Sequence, residues 1–136
     1  MSNIYEQFGT NKQLESDGID LEIAPGVRFT VKRMGSSNKK YQQLLAKLSR
    51  PYKRQMDNGT LDDEIARKML RMAFIQTVLI GWDGVTNKKG KMLDFNVENA
   101  DSLFSDLPDL FDTLSEEAQR TANFLDSDGV EEVVKN

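Results

Sequence analysis

The carboxylates of this chain are the residues best suited to chemistry, because two of the usual catalytic types are missing. Twenty-two Asp and Glu stand among 136 residues, with no histidine and no cysteine. Without imidazole there is no general base poised near neutral pH, nor the commonest transition-metal ligand. Without a thiol there is no thiolate nucleophile, thiolate metal site or disulfide. Carboxylate acid/base work, or a magnesium or calcium site, is what remains. Asp126-Ser127-Asp128-Gly129 resembles the opening of a calcium loop, but that loop needs a third oxygen ligand before its glycine and a glutamate at its twelfth position, and the sequence supplies neither. Asp62-Asp63-Glu64 falls at an expected helix start, where capping and the helix dipole account for it. Asp94, between Leu93 and Phe95, is explained by a turn. The reading is a non-enzyme, with no catalytic, cofactor or metal residue.

The cations form the second constellation. Lys39, Lys40, Lys47, Arg50, Lys53 and Arg54 make a basic band interleaved with Tyr41 and Tyr52. A nucleic-acid-binding surface would want such cations on one face and aromatics free to stack on bases, so a small nucleic-acid-associated regulator is the alternative reading. Against it, both tyrosines fall on the leucine stripe of the same helix, and the chain as a whole is acidic at −4. Charge is separated along the sequence: residues 28–71 hold twelve Lys/Arg against four acids, and residues 92–136 hold twelve acids against two bases. Two such blocks either pair within one chain or present complementary faces to other copies. The expected contact residues are the six cations of the band, Trp82, and Asp109, Asp112, Glu116 and Glu117 of an acidic helix.

The elements that must position these residues are mainly helical, about four to five helices with an N-terminal β-hairpin. Residues 1–18 read as a flexible arm, 19–125 as one domain, and 126–136 as a flexible tail. Ile19, Leu21 and Ile23 alternate with acids, Val27, Phe29 and Val31 with polar residues, and Ala24-Pro25-Gly26 lies between them. A hairpin over 19–32 with a three-residue loop would pair Ile23 with Val27, Leu21 with Phe29 and Ile19 with Val31, setting Glu22 opposite Arg28. Apolar residues at helical spacing predict helices over about 37–56, 60–82, 96–104 and 106–125. Pro51 should kink or split the first near Ser49, Thr60 with Asp63 should cap the second, Asn96 should cap the third, and Pro108 is tolerated in the first turn of the fourth. No apolar signal segment is present, and the longest apolar stretch, Met69 to Trp82, is too short and interrupted to span a bilayer. A soluble, intracellular protein is expected.

Between the helical halves lies the most distinctive stretch: Leu79-Ile80-Gly81-Trp82-Asp83-Gly84-Val85, a polar Asn87-Lys88-Lys89-Gly90 loop, then Met92-Leu93-Asp94-Phe95. Gly81 should stop the long helix and, with Gly84, set the turn. Trp82 should plug the space between the halves, its indole nitrogen seeking one acceptor. Phe95 and Phe111 complete the expected anchors.

In order, these features resemble the tail assembly chaperones of long-tailed (siphovirus-type) bacteriophages. The likeness runs from about Leu21 to Leu125. Its parts are Ala24-Pro25-Gly26-Val27-Arg28-Phe29, Ser37-Asn38 with Tyr41, Pro51-Tyr52-Lys53-Arg54, and Val78-Leu79-Ile80-Gly81-Trp82-Asp83-Gly84-Val85. Leu93-Asp94-Phe95 with Asn99, Leu107-Pro108-Asp109-Leu110-Phe111 and Phe124-Leu125 follow. Residues 1–18 and 126–136 match no part of the pattern. The resemblance implies a helical, non-enzymatic protein of the host cell cytoplasm, absent from the mature virion. It would bind the tail tape measure protein, keep it soluble while tube subunits polymerise around it, and self-associate. It also implies that this is the short form, ending at Val134-Lys135-Asn136. A longer product of ribosomal frameshifting would then recruit the tail tube protein.

Overall fold

The computed structural model describes residues 3–35 and 37–125. Strands β1 (Ile19–Ala24), β2 (Val27–Val31) and β3 (Leu79–Asp83) form one antiparallel sheet in the order β1-β2-β3. Around it lie helices α1 (Ile4–Phe8), α2 (Lys12–Asp17), α3 (Lys39–Ser49), α4 (Lys53–Asn58), α5 (Asp63–Thr77), α6 (Val97–Asp106) and α7 (Pro108–Gln119). Single 3-10 turns, Arg50–Tyr52 and Thr121–Phe124, follow α3 and α7. The fold is mainly α with a small sheet. No described helix is long and apolar enough to cross a membrane.

The hairpin keeps most of its expected register. Ile19 faces Val31, Leu21 faces Phe29 and Glu22 faces Arg28. At the tip Ala24, not Ile23, faces Val27. The loop is therefore the two residues Pro25-Gly26, with Gly26 at φ +78°, and Ile23 is the extra residue of a β-bulge. Proline followed by a glycine of positive φ is a turn chemistry that needs only two residues, which is why the three-residue loop does not form.

The long helix is shorter than its apolar run. It does not run 60–82: α5 starts at its cap Asp62, whose side chain accepts from the Glu64 N–H at 2.8 Å, and it ends at Thr77. Residues 79–83 leave it as β3, pairing Phe29 with Trp82 and Thr30 with Gly81. The Lys32 N–H donates to the Val78 carbonyl at 2.8 Å and draws the chain onto the sheet. An apolar run of four to six residues reads equally as buried helix or buried strand. Here the β-branched Ile80 and the open edge of β2 decide for strand.

The first predicted helix is split as expected: α3 is capped by the Asn38 side chain, and Pro51 sits in the 3-10 turn between α3 and α4. Asn96 caps α6 by accepting from the Asn99 N–H at 2.8 Å, and Pro108 opens α7. α6 continues to Asp106, two residues past its expected end, and α7 stops at Gln119, before the 3-10 turn. Residues 3–18, expected as a mobile arm, hold the two short helices α1 and α2, capped by Asn3 and Asn11. This segment is tied to the body at three points. The Asn11 N–H donates to Phe124 O at 2.6 Å, the Arg33 N–H to Glu15 O at 3.2 Å, and Arg33 Nη1 pairs with Glu15 Oε2 at 2.5 Å. The predicted tail 126–136, with its calcium-like Asp126-Ser127-Asp128-Gly129, lies outside the described residues.

The core joins sheet and helices through aromatic rings. Phe29, Phe74, Phe104, Leu114 and Phe124 are fully buried together with Val31 and Val78. Phe29 meets Trp82 edge-on at 5.9 Å, Phe74 meets Phe104 at 6.0 Å and Phe111 at 5.3 Å. Edge-to-face pairs at these separations add to the stabilisation from burial alone. Across this core one ion cluster clamps α5 to α6. Arg71, 8% exposed, reaches Asp101 Oδ1 at 3.0 Å, and Lys68 reaches Oδ2 at 2.5 Å.

Candidate functional site

The junction after β3 is built on Gly84. It has φ +77°, and a Cβ there would stand 1.9 Å from the carbonyl oxygen of Gly26. Two turns from distant parts of the chain thus touch backbone to backbone, which only glycine permits. Gly81, expected to share this duty, is a strand residue facing Thr30, and a Cβ on it would meet nothing within 4 Å. It neither stops the helix nor sets the turn. From Val85 the chain makes a second small loop, in which the Leu93 N–H donates to Val85 O at 2.9 Å and Thr86 bridges Met92. Asn87 closes that loop by accepting from the N–H groups of Lys89 and Lys91 at 2.9 and 3.1 Å.

Trp82 is half-buried, and its indole N–H donates to Leu93 O at 2.8 Å, the single acceptor its position calls for. Its ring packs edge-on against Phe29 and, at 5.0 Å, against Phe95. Trp82 thus staples the 85–95 loop to β2. Phe111 is half-buried between Phe74 and Phe104 and anchors α7. Phe95 is a weaker anchor, since much of it faces solvent.

Beside this staple opens a groove of about 560 Å³ lined by Thr86, Lys88, Lys89, Leu93, Asn99, Leu103, Asp106 and Leu107. Leu107 on its lining is 49% exposed; elsewhere in the 92–97 segment Met92 is 67% exposed, with Val97 and Phe95 near 40%. Helical spacing in the sequence puts Val97 and Leu107 on apolar stripes, whereas both are exposed. Leu107 has the spacing of the Phe111, Leu114 and Ala118 stripe, but as the N-cap of α7 its backbone is not helical, and it is 49% exposed.

The basic band and the acidic face make no ion pair with each other among the described residues. Lys39, Lys40, Lys47, Arg50, Lys53 and Arg54 are all exposed on α3, the 3-10 turn and α4, and none has an ion-pair partner among the described residues. Asp109, Asp112 and Glu116 are likewise exposed and unpaired on α7, while Glu117 is half-buried and pairs with Arg120 at 2.9 Å. The two blocks meet inside the chain through α5 and α6, where Arg71 and Lys68 hold Asp101. Burial disfavours the Asp101 carboxylate, but hydrogen bonds from Lys68 and Arg71 outweigh it and hold its pKa below the usual range. Arg71 was the clue that sequence reading left unused, because a cation on the apolar half of a helix must find a carboxylate.

Neither band tyrosine is free to stack on a base. Tyr41 is buried and Tyr52 half-buried, and burial raises the Tyr41 phenol above its ordinary pKa. Asp62 is spent on capping α5 and Glu64 pairs with Arg67 at 3.7 Å. Among the described residues no group of three or more carboxylates converges as a metal site would require.

Fold and surface together define a small, mainly helical protein whose open features are an apolar-bordered groove and unpaired charge. Residues 36–136 match the family described as YdaY prophage protein, and the chain belongs to that family, which marks it as phage-derived. No curated protein and no solved structure matches it.

Proposed function

We propose that this chain is a phage tail assembly chaperone that binds the tape measure protein, holds it soluble and supports tube polymerisation around it, with no catalytic step. Membership of a prophage family and the resemblance of residues 21–125 support the phage setting. The observation that carries the binding role is the groove beside Trp82, lined by Leu93, Leu103 and the exposed Leu107, with Met92, Phe95 and Val97 also exposed in the 92–97 segment that leads into α6. A channel lined by three leucines suits the apolar face of a client helix. Lys88 and Lys89 on one wall and Asp106 on the other give that helix a polarity. The complex works in the host cytoplasm and leaves before the virion matures. A frameshifted longer form brings in the tail tube protein, and a slippery heptamer in the gene is its test.

Co-expression with the tape measure protein tests the reading. Soluble client should co-purify with the wild-type chain, and Met92→Glu with Leu107→Glu should abolish this while leaving the melting temperature unchanged. An interface anchor is worth about 2 kcal/mol, or about 30-fold in affinity. A client that stays insoluble with wild type, or soluble with the double variant, refutes it. The alternative, a nucleic-acid-associated regulator using Lys39 to Arg54, predicts a salt-dependent gel shift. Buried Tyr41 and half-buried Tyr52 disfavour it.

A further inference from the structure

A second cavity, of about 590 Å³, lies where α2, the chain leaving β2 and the start of α3 converge. It shares no lining residue with the groove beside Trp82. Lys12, Lys32, Arg33, Lys39 and Lys40 line it, against one carboxylate, Glu15. Arg33 and Glu15 hold each other at 2.5 Å, which leaves four lysines around one space. None of the four has an ion-pair partner among the described residues. Lys12, Lys39 and Lys40 are exposed and Lys32 is half-buried. In a chain of net charge −4, such a gathering of one sign opposes the compact state, and it focuses positive potential into the cleft. The walls are fixed by hydrogen bonds. Asn38 Nδ2 donates to Arg33 O at 2.9 Å and to Thr77 O at 3.2 Å, fastening the start of α3 to the end of α5. The Arg33 N–H, donating to Glu15 O at 3.2 Å, holds α2 on the other side. The lysines thus come together from three separate stretches of sequence.

We infer that this cavity binds a compact polyphosphate, recognised through a triphosphate group. One phosphate monoester carries about −1.5 to −2 near neutral pH, so a short run of linked phosphates neutralises the lysines in a space where a peptide would place one or two carboxylates. The cavity volume falls within the range of about 300–1,000 Å³ typical of small-ligand sites. Lysine serves phosphate as a mobile point charge, whereas planar carboxylates favour the arginine fork, and the one arginine here is already engaged by Glu15. Among the described lining residues there is no aromatic ring on which a base could stack. The phosphates alone are therefore read, and the triphosphate of a nucleotide and a free inorganic tripolyphosphate are equivalent ligands.

The test is calorimetric titration of the full chain with inorganic tripolyphosphate, ATP and orthophosphate, repeated at two salt concentrations. Tripolyphosphate and ATP should bind with similar affinity, orthophosphate about tenfold more weakly, and all three less tightly as salt rises. At matched ionic strength tripolyphosphate should also raise the wild-type melting temperature, a readout that needs no variant. Lys12→Gln with Lys32→Gln should weaken tripolyphosphate about tenfold, the loss of two partly exposed ion pairs. Arg67→Gln with Lys91→Gln removes the same charge away from the cavity and should leave the affinity unchanged. Any of four results overturns the proposal: no binding of tripolyphosphate at about 1 mM, equal weakening by both double variants, ATP bound about tenfold more tightly than tripolyphosphate, or duplex DNA or a polyglutamate peptide bound more tightly than either.

Discussion

Replacing Gly84 by alanine, with Gly81→Ala as its control, separates what looked alike in sequence. At Gly84 the backbone sits at φ +77°, where an L side chain costs about 1–2 kcal/mol. The added Cβ would also lie 1.9 Å from Gly26 O. Ordinary contact is near 3.4 Å, so the two turns must part by more than an ångström, pulling on the Arg28–Asp83 end of the β2–β3 ladder. Overpacking against backbone adds about 1–3 kcal/mol, for a loss of about 3 kcal/mol in all. At Gly81 nothing lies within 4 Å, and alanine in a strand removes the entropic weakness of glycine, so Gly81→Ala should be neutral or stabilising by about 0.5 kcal/mol. Urea unfolding followed by Trp82 fluorescence is the assay. With an m-value of about 1.5 kcal/mol/M, the Gly84→Ala midpoint should fall by about 2 M and the Gly81→Ala midpoint stay in place or rise. Equal losses at the two positions, or a Gly84→Ala midpoint within about 0.3 M of wild type by the same m-value, would refute the backbone contact between the two turns.

Further outcomes follow from the same geometry. Asp101→Asn strips the nearly buried Arg71 of its carboxylate and should cost about 2 kcal/mol, read as a lower melting temperature. The Asp101 pKa is depressed by folding, so its contribution is present above the ordinary carboxylate pKa of about 4 and is lost as pH falls through the lower folded value. The melting temperature of wild type should therefore converge on that of Asp101→Asn under acid. Curves that stay parallel throughout the acid range would show the cluster to be inert. Trp82→Phe keeps an aromatic ring against Phe29 and Phe95 but leaves Leu93 O without its donor, and should cost about 1 kcal/mol. Client binding in the groove beside Trp82 should shift the emission of this single tryptophan, and a spectrum unmoved at saturation would place the client elsewhere.

Much of the architecture was legible because local rules were enough. Strict alternation in 19–31 specified a hairpin and most of its register, since a one-residue slip would turn Leu21 and Phe29 to solvent. Pro51, Asn96 and Pro108 act through their own backbone geometry and capping atoms, so their roles hold in any tertiary setting. Lack of histidine and cysteine narrowed the available chemistry from composition alone. By contrast, the strand at 79–83 depends on an edge of β2 left open some fifty residues earlier in the chain, which no local window contains. The different needs of Gly81 and Gly84 arise from the approach of Gly26 across the fold. Likewise the unpaired state of Lys39 to Arg54 and of Asp109 to Glu116 follows from where the packed core places α3, α4 and α7, whereas Arg71, Lys68 and Asp101 meet because α5 packs on α6. Sequence carries the local propensities and the sum of charge; distances between residues remote in the chain are set by how the aromatic core closes.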